Sequence, residues 1–245
     1  MRKKISSIFY VLFAISSYAA IEFPQIELKV GSGAGNNNLV ASLQILLIMT
    51  ILTLAPSIII LTTAFVRIII VLHFIRQALG LQQMPPNQVL VGLALVLTFF
   101  IMQPTFNDIL ENAVNPYLDN KISEQLFFKN IEKPLKTFML KQTKTEDLEL
   151  FLKISKSNIP KNREEISIFV VTPAFLISEL TRGFEIGILI FIPFIIIDMI
   201  VATVLMSLGM MMLPPAMISM PFKLVVFVMV DGWNLILDSL VKSFF

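Results

Sequence analysis

The chain contains no cysteine and only one histidine, His73. A thiol nucleophile, a disulfide framework and a Cys/His zinc site are therefore excluded. Charge is scarce too. Only 15% of the 245 residues are Asp, Glu, Lys or Arg, and the net charge is +2. No run of Lys or Arg resembles a nucleic-acid-binding tail, so no nucleic-acid partner is expected. The G-x-x-x-x-G-K phosphate loop, a serine elbow and a metal-ligand cluster are missing. The chain does not read as an enzyme, and no catalytic, cofactor or metal residues are assigned. Gly31-Ser32-Gly33-Ala34-Gly35 superficially resembles a dinucleotide fingerprint. Asn36 occupies the third glycine position, and no Asp or Glu falls between Val40 and Gln103 to hold a ribose. That segment reads as a flexible linker.

What is abundant is apolar surface. Hydrophobic residues make up 56% of the chain, far above an ordinary soluble domain. The expected fold is all-α: membrane-associated helical hairpins separated by a polar helical insert. Residues 1–19 read as a signal peptide, with Arg2-Lys3-Lys4, an apolar core from Ile5 to Ile15 and a cut before Ala20. The alternative is an uncleaved anchor, but the core is short of the ~20 residues needed to span. Residues 20–38 form the linker. Residues 39–103 form a first apolar hairpin, interrupted by Pro56 and Arg67 and turned at Gly80 and Pro85-Pro86. Residues 104–182 are a polar helical insert, starting where Pro104 ends the second apolar block. Gln142 is a polar break within it, and Pro160 marks an internal loop. Residues 183–245 form a second apolar hairpin. No period of 20–50 residues repeats.

Basic residues in short loops set orientation. Arg67 and Arg76 flank the first turn, and Lys223 lies by the second. Both tips should face the cytosol. The insert and the final residues should face the export, periplasmic side.

Between the apolar blocks of the second hairpin lies Gly209-Met210-Met211-Met212-Leu213-Pro214-Pro215. The glycine and the prolines interrupt the helix on either side. Methionine is unbranched and polarizable, so a cluster of it suits a surface that changes shape. Three adjacent methionines cannot share one helix face. On the residues alone, a deformable seal and ordinary packing both remain open.

The lone charges also leave alternatives. Asp198 and Asp231 lie about equally far from Pro214 and would sit at similar depth in an antiparallel pair. They read as a proton relay or aspartyl-protease dyad, as coupling groups of a small-solute secondary transporter, or as structural charges. The structural reading is favoured, with Arg67 or a neighbouring subunit as counter-charge. Glu179 and Lys223 read as solvated ends of apolar blocks or as pairs across subunits. Arg67, Asp198, Asp231, Glu179 and Lys223 together form the candidate structural and assembly charges. His73 reads as a packed histidine.

Several strings resemble the family of the flagellar biosynthetic protein FliP and its SctR-like virulence homologues. They are Arg67-Ile68-Ile69-Ile70-Val71-Leu72, Arg76-Gln77-Ala78-Leu79-Gly80 and Pro85-Pro86-Asn87-Gln88-Val89-Leu90. Phe191-Ile192-Pro193-Phe194 through Asp198, the methionine segment, Pro221-Phe222-Lys223 and Val230-Asp231-Gly232-Trp233 extend the likeness. The resemblance covers nearly everything from Leu39 onward. It implies a core channel subunit of the type III export gate at the flagellar basal body, in the bacterial inner membrane. It also implies a homo-oligomer, pentameric in the family, stacked in a helical, ring-like assembly with FliQ-like and FliR-like subunits. Other export-apparatus proteins and unfolded export substrates are the further partners implied. The apolar helices would be raised largely out of the bilayer plane rather than form simple spans. Met210, Met211 and Met212 would carry over as the channel gasket.

Overall fold

The computed structural model describes residues 36–81, 83–156, 162–210 and 212–245, with side chains from residue 42 onward. The segments read from sequence as a signal peptide, a glycine-rich linker stretch and a loop at Pro160 lie outside the described residues. Every regular element among the described residues is helical. The main helices, in chain order, are α1 (Asn36–Leu61), α2 (Phe65–Ala78), α3 (Asn87–Ile109), α4 (Glu124–Gln142), α5 (Thr145–Ile154), α6 (Ile168–Ser207), α7 (Pro215–Met229) and α8 (Gly232–Lys242). Among the described residues, three helices are long and apolar enough to cross a membrane: Ser42–Leu61, Asn87–Leu118 and Ile168–Ser207. The α7–α8 pair, bent by 67°, qualifies as a fourth if counted as one broken span.

The chain divides into two units, one ending at Thr53 and one beginning at Leu54. The described part of the first is the start of α1, whose Leu43, Leu46, Leu47 and Ile51 are exposed. The second unit holds everything that follows.

The prolines do not break helices where the sequence suggests. Pro56 lies inside α1, Pro104 inside α3, and Pro173 and Pro193 inside α6. The break in the first apolar block comes instead at Thr62-Thr63-Ala64. There the Thr62 and Thr63 hydroxyls donate to the carbonyls of Ile58 and Ile60, competing with the backbone ladder. The helix expected to end at Pro104 runs on. It passes through a π-helical turn, Leu110–Val114, into Asn115–Leu118. Such a turn absorbs a misfit without ending the helix. Likewise α6 crosses residue 182 without interruption and, at 40 residues, extends for about 60 Å. That is twice a hydrocarbon core of about 30 Å. One continuous helix therefore serves both the polar and the apolar parts of the chain.

Two apolar clusters flank α6. Near its start, Val170, Val171, Ala174 and Phe175 pack with Met139 and Leu140 of α4 and Leu148 and Leu152 of α5. Further along, Phe194 joins a cluster centred on α2, with Ile68, Val71, Leu72 and Ile75 fully buried. Phe138 of α4 packs against both clusters. The buried face of α6 follows the helical period from Val170 to Phe194. Two glycines in this stripe admit α2 at close range. A Cβ on Gly187 would lie 2.4 Å from the Phe74 ring, and one on Gly183 would lie 3.1 Å from Ile70.

The two hairpin tips share one design. Each helix ends on a glycine with positive φ, Gly80 at 74° and Gly209 at 73°. Leu81 N–H donates to the Arg76 carbonyl and Gly80 N–H to that of Gln77. Met210 N–H donates to the Leu205 carbonyl and Gly209 N–H to that of Met206. Both are Schellman stops, which only a residue free of a Cβ adopts readily. Five residues after each glycine a proline pair opens the next helix, Pro85-Pro86 before α3 and Pro214-Pro215 at α7.

Gly187→Ala should force α2 and α6 apart and lower the unfolding free energy by about 1–3 kcal/mol. Thermal unfolding of the detergent-solubilised protein reads this. Phe74→Ala, added to Gly187→Ala, should raise the melting temperature again; a further fall would contradict the notch.

Candidate functional site

Arg67 and Glu179 stand 112 residues apart, and both are completely buried. A charge survives burial only when fully paired and hydrogen-bonded. Arg67 Nε donates to Glu179 Oε2 at 3.0 Å, and Nη2 donates to Glu179 Oε1, a bidentate fork. Nη2 also donates to Gln142 Oε1 at 3.0 Å. Nη1 donates to the Ser243 carbonyl and the Ser243 hydroxyl, each at 3.0 Å. These contacts occupy all five guanidinium N–H donors. The guanidinium also lies 3.9 Å from the centre of the Phe244 ring, within cation–π range.

Gln142 extends this hub. Its Nε2 donates to the Phe244 carbonyl at 2.8 Å, and its Oε1 also accepts from Arg182 Nη1 at 3.0 Å. One buried cluster thus ties together α2, the end of α4, the middle of α6 and residues 243–244. Nearby, the Ser178 hydroxyl accepts from the Lys144 backbone N–H and donates to Asp147. No buried side-chain N or O among the described residues lacks a partner.

A second cluster lies between α6 and α7. Lys223 Nζ donates to Asp198 Oδ2 at 2.6 Å, and the Ser219 hydroxyl donates to Asp198 Oδ1. Ser219 and Lys223 are buried, whereas the Asp198 side chain is 35% exposed. The pairing imagined from sequence between Asp198 and Arg67 is not formed; each takes a different partner. Glu179 and Lys223, read as solvated block ends or cross-subunit pairs, are buried and paired within the chain. Arg67 and Lys223 are therefore not exposed loop charges, and of the three basic residues near the tips Arg76 alone is half-exposed. Arg76 Nη1 donates to Asn87 Oδ1 at 2.6 Å and to the Pro85 carbonyl, which braces the first tip.

Asp231 belongs to neither cluster. It is exposed, precedes α8 at the 67° bend with φ 50°, and accepts from Asn234 Nδ2 at 3.2 Å. Asp198 and Asp231 thus have different partners and share none, which gives the dyad reading no geometric basis. Among the described residues no group of three His, Cys, Asp or Glu could hold a metal.

At the second tip, Met210 is 48% exposed and Met212 98% exposed. Met211 lies outside the described residues. Met210 and Met212 stand on the short bridge between the Gly209 stop and the proline start. Around them Leu213, Met217 and Leu208 are also exposed.

Sequence reasoning missed Gln142 and Ser243 as partners of the buried Arg67, Ser178 as a partner of Asp147, and Ser219 as a partner of Asp198. Gln142 did carry a signal, as a polar residue in an otherwise apolar helical stripe. The serines carried none.

The sequence profile of the FliP family matches residues 48–240. The chain is 52% identical over 217 residues to "Flagellar biosynthetic protein FliP" of Bacillus subtilis (strain 168), covering 89% of this chain and 98% of that protein. It is 50% identical over 240 residues to the protein of the same name from Caulobacter vibrioides, covering 98% of this chain and 90% of that one. The same-named protein of Aquifex aeolicus is 47% identical over 248 residues, with both chains covered completely.

Two outcomes are expected here. Gln142→Leu strands a buried Arg67 donor and the Phe244 carbonyl, and should cost about 1–3 kcal/mol in a thermal unfolding series. His73 offers a pH test. Burial first, and the Arg76 charge second, hold its imidazole below the ordinary value of 6.5. Its Nδ1 accepts from Arg76 Nη2 at 3.0 Å when neutral. As pH falls below 6.5, the unfolded chain takes up this proton first, so stability drops through the window below 6.5. His73→Gln should flatten that part of the stability–pH curve. An unchanged slope would remove His73 as its source.

Proposed function

The chain belongs to the FliP family, and from that premise we propose that it is a core channel subunit of the type III flagellar protein export gate. Its coarse role as a flagellar export component follows from the family. The finer reading is of several copies, five by family resemblance, stacked with FliQ-like and FliR-like subunits around a closed conduit for unfolded substrates. The assembly would sit in the bacterial inner membrane, with the tips toward the cytosol and the insert and residues 243–245 toward the periplasm.

The observation that carries this reading is the methionine bridge. Met212 is almost wholly exposed, while Met210 on one side closes a Schellman stop and Leu213 on the other leads into a proline start. A seal needs this combination of a fixed mount and side chains free to move. A secreted chain presents side chains of every size, and unbranched thioethers swing aside and close again where branched residues would fit only one profile. An apolar constriction also resists wetting, so ions meet a barrier without close contact. The apolar outer faces of α1, α3, α6 and α7 supply the surface for lipid and neighbouring subunits. Examples are Phe99, Leu189, Met199 and Val228, all more than 60% exposed. Nothing favours the carrier reading. Asp198 is compensated by Lys223, and Asp231 sits exposed at a helix bend.

Replacing Met210, Met211 and Met212 together by alanine should make membranes containing the assembled complex leak ions and small solutes, while the complex still assembles. Conductance equal to the parental complex in assembled particles would end the seal reading.

A further inference from the structure

The bridge with the methionines is mounted on two helices, and the second of these is not free at its far end. From Pro215 the chain runs through α7, bends by 67° at Asp231, and runs through α8 to Ser243. At 1.5 Å per residue the two arms are about 22 Å and about 16 Å long. Each end of this bent lever is pinned by an ionic group. Near the methionines, Lys223 and Ser219 hold Asp198 of α6. At the far end, Arg67 holds the carbonyl and hydroxyl of Ser243 and stacks on Phe244, which is only 3% exposed.

The bend itself is stiff. Phe227 of α7 meets Trp233 of α8 edge to face, with ring centres 5.5 Å apart. A Cβ on Gly232 would lie 2.4 Å from the Phe227 ring, so the arms touch at the elbow without spare room. Asp231 holds a left-handed backbone there, a conformation that costs energy in a residue with a Cβ. Ile236 and Leu240 sink the second arm into the α2-centred core. Continuous packing therefore connects the Arg67 hub to the mount of the methionine bridge.

We infer that Ser243 and Phe244 form a latch that sets the position of the methionine bridge, with Phe244 as a positioning residue seated under Arg67. The inference rests on the proposed sealing role of the bridge. Seated, the latch holds α8, α8 holds the elbow, and the elbow fixes the height and direction of α7. Unseated, the second arm can slide on the α2 core. The bridge then closes imperfectly although no methionine has changed. The latch also joins the seal to the polar insert, because Gln142 at the end of α4 grips the Phe244 carbonyl. A displacement of the insert would reach the bridge by this route.

The test uses the full chain assembled with its partner subunits in native membranes, and reads ion leak per assembled complex. Met210→Ala combined with Met212→Ala is the reference, and Phe244→Ala empties the latch. Phe244→Leu refills most of the seat and serves as the conservative rescue. The expected pattern is a several-fold rise in leak for the methionine variant and for Phe244→Ala, with Phe244→Leu near parental. A tight Phe244→Ala complex beside a leaky methionine variant would overturn the latch and leave the seal standing. Equal leak from both residue-244 variants would also overturn the seating argument. A tight methionine variant would instead overturn the seal reading on which the latch rests. If Phe244→Ala fails to accumulate, Ser243→Gly takes its place, since it loses the hydroxyl acceptor and loosens the backbone but keeps the carbonyl. It must leak, and a tight Ser243→Gly complex overturns the latch. Because the chain has no cysteine, Phe244→Cys gives an independent reading. Its thiol should react slowly with a maleimide in assembled complexes, and fast labelling would show that the seat is open.

Discussion

A guanidinium held out of water costs several kcal/mol unless every partner is in place. Arg67 meets that condition with a bidentate carboxylate, a glutamine, a serine hydroxyl and a backbone carbonyl. These partners come from α4, α6 and the residues after α8, so the buried charge is satisfied only when these parts of the chain have converged. Hydrophobic packing alone leaves latitude in how helices slide, because apolar contact is non-directional. The planar fork of Arg67 removes that latitude at one point. The glycine notches at Gly183 and Gly187 remove it at two more, by letting Ile70 and Phe74 seat in α6.

From this anchored centre the molecule extends in two directions. Toward the polar insert, α6 continues without a break and gathers α4 and α5 around Phe175 and Met139. Toward the tips, the same helix runs to Gly209 and the methionine bridge. The long helix is thus a rigid spine with a water-compatible end and an apolar end. Glu179 sits where the two meet, close to the polar residues Ser178 and Arg182. The large exposed apolar faces on α6 and α7 are stable only against lipid or protein, which fits a subunit that functions within an assembly.

Much of this was legible in the sequence because it depends on local chemistry. The helix stops at Gly80 and Gly209 and the starts at the proline pairs follow from which residues tolerate positive φ and which lack an N–H. The methionine bridge was readable for the same reason. The long motifs from Arg67 to Trp233 pointed to the family that the comparisons then showed. The all-α character followed from long apolar blocks.

Other features were hidden because they depend on distant partners. Nothing local to Arg67 indicates Glu179, and nothing near Lys223 fixes Asp198 as its partner; lone charges in apolar runs invite several pairings. Prolines misled as well. Pro56 and Pro104 were read as interruptions, yet each lies within a continuous helix. A proline removes one backbone bond and kinks a helix without having to end it. The Thr62-Thr63 pair, with no glycine or proline beside it, makes the real break. Exposure of Glu179 was inferred from its place at the edge of an apolar block, but edges in sequence are not edges in space when a 40-residue helix crosses them.

The dependence of the fold on the Arg67–Glu179 pair is best measured by a double-mutant cycle in unfolding free energy. Arg67→Met and Glu179→Met should each cost about 3–5 kcal/mol, because each strands the other charge in the interior. The double variant should be more stable than either single one, since both stranded charges are gone. If the two losses simply add, the pair is not coupled, and the anchoring role given to it here is contradicted.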